Sequence, residues 1–253
     1  MNQEQLVDFL NSKYQAYSQA SFIASDPIQI PHQFTSEQDI EISGFFAAVF
    51  AWGQRTTIIK KCTDLLERMD RAPHEFVVHA SDSDLNSING FVHRTFNEDD
   101  VKGFILALRK MYRQHDSLEK LFITSEDSVD LKNGLHQFKQ AFLTSGIQPR
   151  THRHLPDPFK GSAAKRINMY LRWMVRKDAV DFGIWQTISP ALLSCPLDVH
   201  SGRVARSLGL LKRTQNDWRA VEELNFSLRK LDANDPVKYD FALFGLGVFE
   251  GFQ

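Results

Sequence analysis

Apolar residues recur along the 253-residue chain at the spacing of helix faces. Leu6, Phe9, Leu10 and Tyr14 share one face and predict a first helix over residues 3–19. Pro27 and Pro31 interrupt the pattern, so residues 26–34 read as a connector. Ser36-Glu37-Gln38-Asp39 opens the next helix in the manner of a capping box. Ile40, Ile42, Phe45, Phe46, Ala47, Val49 and Phe50 then make that helix apolar nearly all round, which predicts a buried central element. Gly53 ends it, and Ile58, Ile59, Cys62, Leu65 and Leu66 mark a following helix from near Thr56. Further helices are expected over 72–80, from Asn97, over 117–122 and over 129–143. Ala164, Ile167, Leu171, Met174 and Val175 predict another. Thr214-Gln215-Asn216-Asp217 caps a helix carrying Trp218, Val221, Leu224, Leu228 and Leu231, and a last one starts at Asp235-Pro236. Gly245, Gly247 and Gly251 weaken this last helix unless another backbone or a ligand comes close.

No stretch sustains the period-two alternation of a strand. The expected architecture is therefore all-α, with two helical subdomains around a cleft. The single 253-residue unit is expected to divide into a central subdomain, 36–145, and a second one made from 1–35 and 146–253.

Composition narrows the class. Apolar residues make up 42% and charged residues 24%, ordinary for a globular chain. Cys62 and Cys195 are too few for a disulfide framework or a four-cysteine iron–sulfur cluster. No apolar run reaches the ~18 residues of a membrane span, and residues 1–5 lack a basic-then-apolar leader pattern. A cytoplasmic protein without a membrane partner is expected. A net charge of −1 argues against a dedicated nucleic-acid binder, but the distribution is uneven. Residues 148–213 hold 12 Lys+Arg against 4 Asp+Glu, a local +8 that leaves the remainder at −9. A basic segment on an acidic body suits a phosphate-facing surface.

That segment also holds the candidate chemistry. Lys165, Arg172 and Arg176 project within roughly 20° of one direction at about 100° per residue, opposite the apolar stripe. Asp198 precedes the helix that carries Arg203 and is placed to cap it. His152, His154 and Asp157 are acceptable metal-ligand types, but no helical spacing or cysteine supports a centre, so no metal or other cofactor is expected.

A lysine in the turn before a helix, followed by Pro196-Leu197-Asp198-Val199-His200 before an arginine-bearing helix, resembles the helix-hairpin-helix DNA glycosylase superfamily. Endonuclease III and the 8-oxoguanine glycosylases belong to it. The 33 residues between Lys165 and Asp198 resemble the archaeal 8-oxoguanine type most. The whole chain also resembles a group of uncharacterised bacterial proteins bearing the strings His154-Leu155-Pro156-Asp157-Pro158, Lys165-Arg166-Ile167-Asn168 and Leu171-Arg172-Trp173-Met174-Val175-Arg176.

The resemblance implies a monomeric base-excision enzyme acting on double-stranded DNA with a damaged base, an oxidised purine by analogy. AP-lyase activity through a lysine Schiff base goes with it. Lys165 would be the nucleophile and Asp198 its acid partner, with Lys160, 38 residues before Asp198, as a rival nucleophile. Gln54 would wedge into the gap left by the extruded base. Arg55, Lys160, Arg166, Arg172, Arg176, His200 and Arg203 would meet DNA. Asp240 and Phe241 would line the base pocket, and Trp52 would either stack on a base there or belong to the core. Two other readings stand beside this one: a nucleic-acid-binding module of the same fold without chemistry, and a helical scaffold whose basic face meets an acidic protein.

Overall fold

The computed structural model describes residues 1–124 and 131–252. The helices are α1 (Gln3–Tyr17), α2 (Ala20–Ile23), α3 (Glu37–Phe50), α4 (Arg55–Arg68), α5 (Pro73–His79), α6 (Glu98–Tyr112), α7 (Leu131–Leu143), α8 (Lys165–Val175), α9 (Val199–Ser207), α10 (Trp218–Leu231) and α11 (Tyr239–Phe249). Short 3-10 turns fill much of the rest, including the connector at Pro27 and Pro31 and the segment Leu118–Phe122. The chain is predominantly helical, and the all-α expectation holds with one exception. Val92–His93 (β1) and Phe96–Asn97 (β2) form a minimal antiparallel hairpin, strands too short to show alternation. The expected start of the seventh helix at Val129 lies outside the described residues. Among the described residues no helix is long and apolar enough to cross a membrane.

The chain forms two compact units, one of Ser25–Pro156 and one of Met1–Ala24 with Asp157–Gln253. The first is wider at both ends than the expected 36–145. At its start, Ile28 and Ile30 are buried, and the 3-10 turns on either side of Ile30 pack on α3. At its end, Arg150 and Thr151 bind Asp100. That carboxylate is fully buried, so these partners cannot be exchanged for water without a large desolvation penalty.

In the Ser25–Pro156 unit, α3 is the core element, as its all-round apolar sequence predicts. Phe45 stacks on Phe104 and meets Phe138 edge-on, and Phe50 stacks on Phe91. Each fully buried aromatic ring contributes roughly 2–3 kcal/mol of transfer free energy. Glu41 is buried within this core. It accepts hydrogen bonds from the Tyr112 and Ser117 hydroxyls and the Leu118 amide, so its charge is solvated by protein. Asn97 and Asp100 close a capping box at the start of α6.

In the other unit, α11 packs on both α1 and α9. Its glycines make this possible. A Cβ on Gly245 would lie 2.2 Å from the Tyr17 ring of α1, and one on Gly247 would lie 3.1 Å from the His200 carbonyl of α9. The Tyr17 ring thus occupies the place of a side chain at Gly245, and the α9 backbone comes tightly against Gly247. Neighbouring protein accounts for Gly245 and Gly247, whereas Gly251 lies beyond the end of α11 at φ +60° with open space around it.

Candidate functional site

Lys165 is the first residue of α8, and the turn ahead of it is closely specified. The Asp157 side chain accepts the Phe159 amide at 3.0 Å, and Pro158 starts a 3-10 turn that ends at Lys160. Gly161 follows at φ +83°, a conformation open to glycine. Ala164 takes φ +50° with no such licence, at a steric penalty of about 1 kcal/mol. The turn is held from two sides. The Asn168 side-chain amide donates to the Ala163 carbonyl at 3.1 Å, and the Trp218 amide of α10 donates to the Gly161 carbonyl at 3.1 Å.

Asp198 is the N-cap of α9. Its Oδ1 accepts the amides of His200 at 2.8 Å and Ser201 at 2.9 Å, and the Ser201 hydroxyl accepts the Asp198 amide at 3.0 Å. This capping box satisfies backbone donors that the first helical turn leaves unbonded. The other oxygen is left for different work: Oδ2 lies 3.6 Å from the Lys165 ammonium nitrogen. That separation makes an ion pair and is too long for a direct hydrogen bond. The two side chains are 30% and 21% exposed, so the pair is accessible from solvent.

Beside the pair lies a second, buried set of charges. Asp240 of α11 receives Arg172 Nη1 at 2.5 Å and the Cys195 thiol at 3.8 Å. Burial raises the Asp240 carboxyl, Arg172 and Lys165 pull it down, the Asp198 charge raises it again, and the balance is upward. Lys165, Asp198 and Asp240 therefore sense one another's charge.

Arg172 and Arg176 correct the basic-row expectation. They are only 5% and 2% exposed. Arg172 also reaches Asp181 at 3.3 Å, while Arg176 binds Asp181 at 2.5 Å, Asp235 at 2.7 Å and Asp178 at 2.9 Å. Neither faces a phosphate. The helical wheel sets them opposite the apolar stripe, but carboxylates from two later segments cover that face. Asp235 and Asp240 lie beyond the 148–213 window, so the count of local charge omits them. Phe241 is likewise corrected from pocket wall to core. It is 1% exposed, with the Arg172 guanidinium 4.1 Å from its ring centre and Phe22 edge-on at 5.5 Å.

The other expected contacts divide between the units. Lys160, His200 and Arg203 are exposed in the unit that holds Lys165, and Arg203 donates to the Gly247 carbonyl at 3.0 Å. Among the described residues Lys160 has no carboxylate partner, whereas Lys165 has Asp198, which separates the two rival nucleophiles. Arg166 is half-buried, and burial pushes its guanidinium down to about 10. Trp52, Gln54 and Arg55 belong to the Ser25–Pro156 unit. Gln54 is exposed at the N-cap of α4 and makes no side-chain capping bond. Trp52 is half-buried with the Arg94 guanidinium 4.7 Å from its ring centre. His154 packs edge-on against Phe96 at 4.7 Å, and among the described residues no His, Cys, Asp or Glu cluster is arranged to hold a metal.

Sequence reasoning left three contributors out. Ser201 completes the cap, Asn168 holds the turn before α8, and Asn216 donates to the Asp198 carbonyl at 3.0 Å. The serine three residues after an N-cap aspartate carries a local signal. Asn216 carries none, since its contact depends on where α10 begins.

Compared with known proteins, the chain matches over residues 26–249 the family described as a protein of unknown function, DUF2400, and it belongs to that family. No curated protein and no solved structure matches it.

Proposed function

We propose that this member of the family is a DNA base-excision glycosylase with a helix-hairpin-helix, glycosylase-like fold, acting through Lys165 and Asp198. One observation carries the reading: an amine and a carboxylate 33 residues apart are brought to 3.6 Å, partly exposed, with the acid's second oxygen fixed in a helix cap.

The chemistry that fits this pair begins with a flipped-out nucleotide, extruded at a cost of a few kcal/mol that is least for a damaged base. Asp198 Oδ2 accepts a proton from the Lys165 ammonium, which frees the nitrogen lone pair. The amine attacks the sugar C1′, and the C1′–N bond breaks with its electron pair leaving on the base. The base takes up a proton as it departs. Ring opening gives a Schiff base between Lys165 and C1′. Loss of a C2′ proton then expels the 3′ phosphate by β-elimination, and water releases the lysine. Once its proton has passed to the departing base, the Asp198 carboxylate opposes the positive charge of the iminium.

Borohydride reduction during turnover traps such a Schiff base as a stable protein–DNA adduct. Wild-type protein and Lys160→Ala are expected to trap on an 8-oxoguanine or abasic duplex. Lys165→Ala is expected not to, and Asp198→Asn should slow the reaction by about 10²–10⁴-fold. An adduct that persists in Lys165→Ala would sink this assignment. The non-catalytic module has its own support, because the capping bonds give Asp198 a complete structural role. Salt-dependent DNA binding with no adduct in the wild type would select that reading.

A further inference from the structure

We infer that the hairpin tip of the Ser25–Pro156 unit, around Thr95, is a DNA-contact surface that grips backbone phosphates. The inference deepens the proposed function and rests on its DNA partner, but not on chemistry at Lys165.

Arg94 and Thr95 link the strands β1 and β2. Arg94 sits at φ +57°, a left-handed conformation that disfavours an L-residue by about 1 kcal/mol. Its guanidinium is nevertheless fixed. It lies 4.7 Å from the Trp52 ring centre and donates from Nη1 to the Trp52 carbonyl at 3.2 Å. Gly53 leaves the space it occupies: a Cβ there would come within 2.6 Å of Arg94 Nη1. On the other side of the tip, Arg150 and Arg153 both donate from Nη2 to the Thr95 carbonyl, at 3.3 and 3.1 Å. Two guanidiniums thus converge on one oxygen, with a third anchored at the adjacent residue.

Charge balance gives the tip its meaning. Arg150 is matched by the buried Asp100 at 3.0 Å. Among the described residues Arg94 and Arg153 have no carboxylate partner, and both are exposed. The contrast with Arg172 and Arg176, each bound to at least two aspartates, is sharp. Carbonyl oxygens fix these two cations in place without cancelling their charge. A guanidinium has five N–H donors in a planar fork, so one bond to a carbonyl leaves most of the fork free for phosphate oxygens. Holding like charges together is unfavourable until an anion joins them. The tip is open surface, where a small free anion competes poorly with water. A DNA strand presents successive phosphates and gains from counterion release at each one.

Full-length protein and an undamaged duplex provide the test, read by fluorescence anisotropy between about 50 and about 200 mM salt. Replacing both cations (Arg94→Ala with Arg153→Ala) is expected to lower the slope of log K against log salt by about 2 and weaken binding roughly 10–100-fold at the lower salt. The double lysine variant keeps most of the slope. Arg153→Ala alone, which removes only an exposed side chain bonded to one carbonyl, should lower the slope by about 1. An unchanged slope in either alanine variant, with its melting transition intact, overturns the inference. So does loss of the difference when inorganic phosphate is added at constant ionic strength, which would mark a single-anion site. Reduced slopes together with no borohydride adduct in wild type would leave this surface standing and remove the glycosylase reading. Absence of any wild-type DNA affinity would remove both.

Discussion

Ala164, the residue just before Lys165, carries the backbone strain of the site. At φ +50° its Cβ crowds the backbone, and glycine would not. Ala164→Gly is therefore expected to stabilise the protein by about 1 kcal/mol, measured by urea unfolding. A loss of stability would show that the turn is not strained there. At this scale the sequence was informative where chemistry and local structure coincide. Lys165 opens a helix and Asp198 caps one, and both signals are read within a few residues. Phe241 was misplaced because its surroundings, Phe22 and Arg172, come from far along the chain. The same limit hid Asn216.

For single elements, α8 shows how periodicity can be right and its interpretation wrong. The apolar stripe of Ala164, Ile167, Leu171, Met174 and Val175 is buried as expected. Beyond Lys165 the opposite face is buried too, because Asp181, Asp235 and Asp240 cover Arg172 and Arg176. A helical wheel ranks positions by direction and cannot supply what lies in that direction. Removing one member of such a set leaves unpaired charge in the interior. Arg176→Ala is expected to destabilise by about 3–5 kcal/mol in urea unfolding while leaving the salt slope of DNA binding unchanged. A reduced slope in folded Arg176→Ala protein would restore the basic-row reading. The helices α3, α6 and α10 were legible nearly to the residue because each has a cap in its own sequence. The hairpin β1–β2 was not, since two-residue strands have no period to detect.

Across the whole molecule, a net charge of −1 conceals strong internal pairing, and acid titration exposes it. Burial by itself would raise the Asp178 carboxyl. Arg176, the Asp181 and Val180 amides and the Ser18 hydroxyl overcome it and hold the group at about 2, against an ordinary 3.8. A carboxyl depressed in the folded state contributes stability above its unfolded value and loses it as pH falls through the folded one. The contribution is about 2 kcal/mol, present above pH ~4 and lost toward pH ~2. Thermal unfolding across that range should show a shallower acid limb in Asp178→Asn than in wild type. Matching limbs would mean that the carboxylate is not held this way. The helical class was legible from pattern alone. The extent of the Ser25–Pro156 unit was not, because the Asp100 bonds that bring Arg150 and Thr151 into it leave no trace in local composition.

Gly247 gives the last helix a quiet authority over the Lys165–Asp198 ion pair. Its bare α-carbon is the seat on which the opening turn of α9 rests, and its carbonyl tethers Arg203 of that same helix. One added methyl would press on that turn, two residues from Asp198, and shift it by a few tenths of an ångström. A lineage could thus alter the spacing of Lys165 and Asp198 while both side chains persist unaltered in the gene.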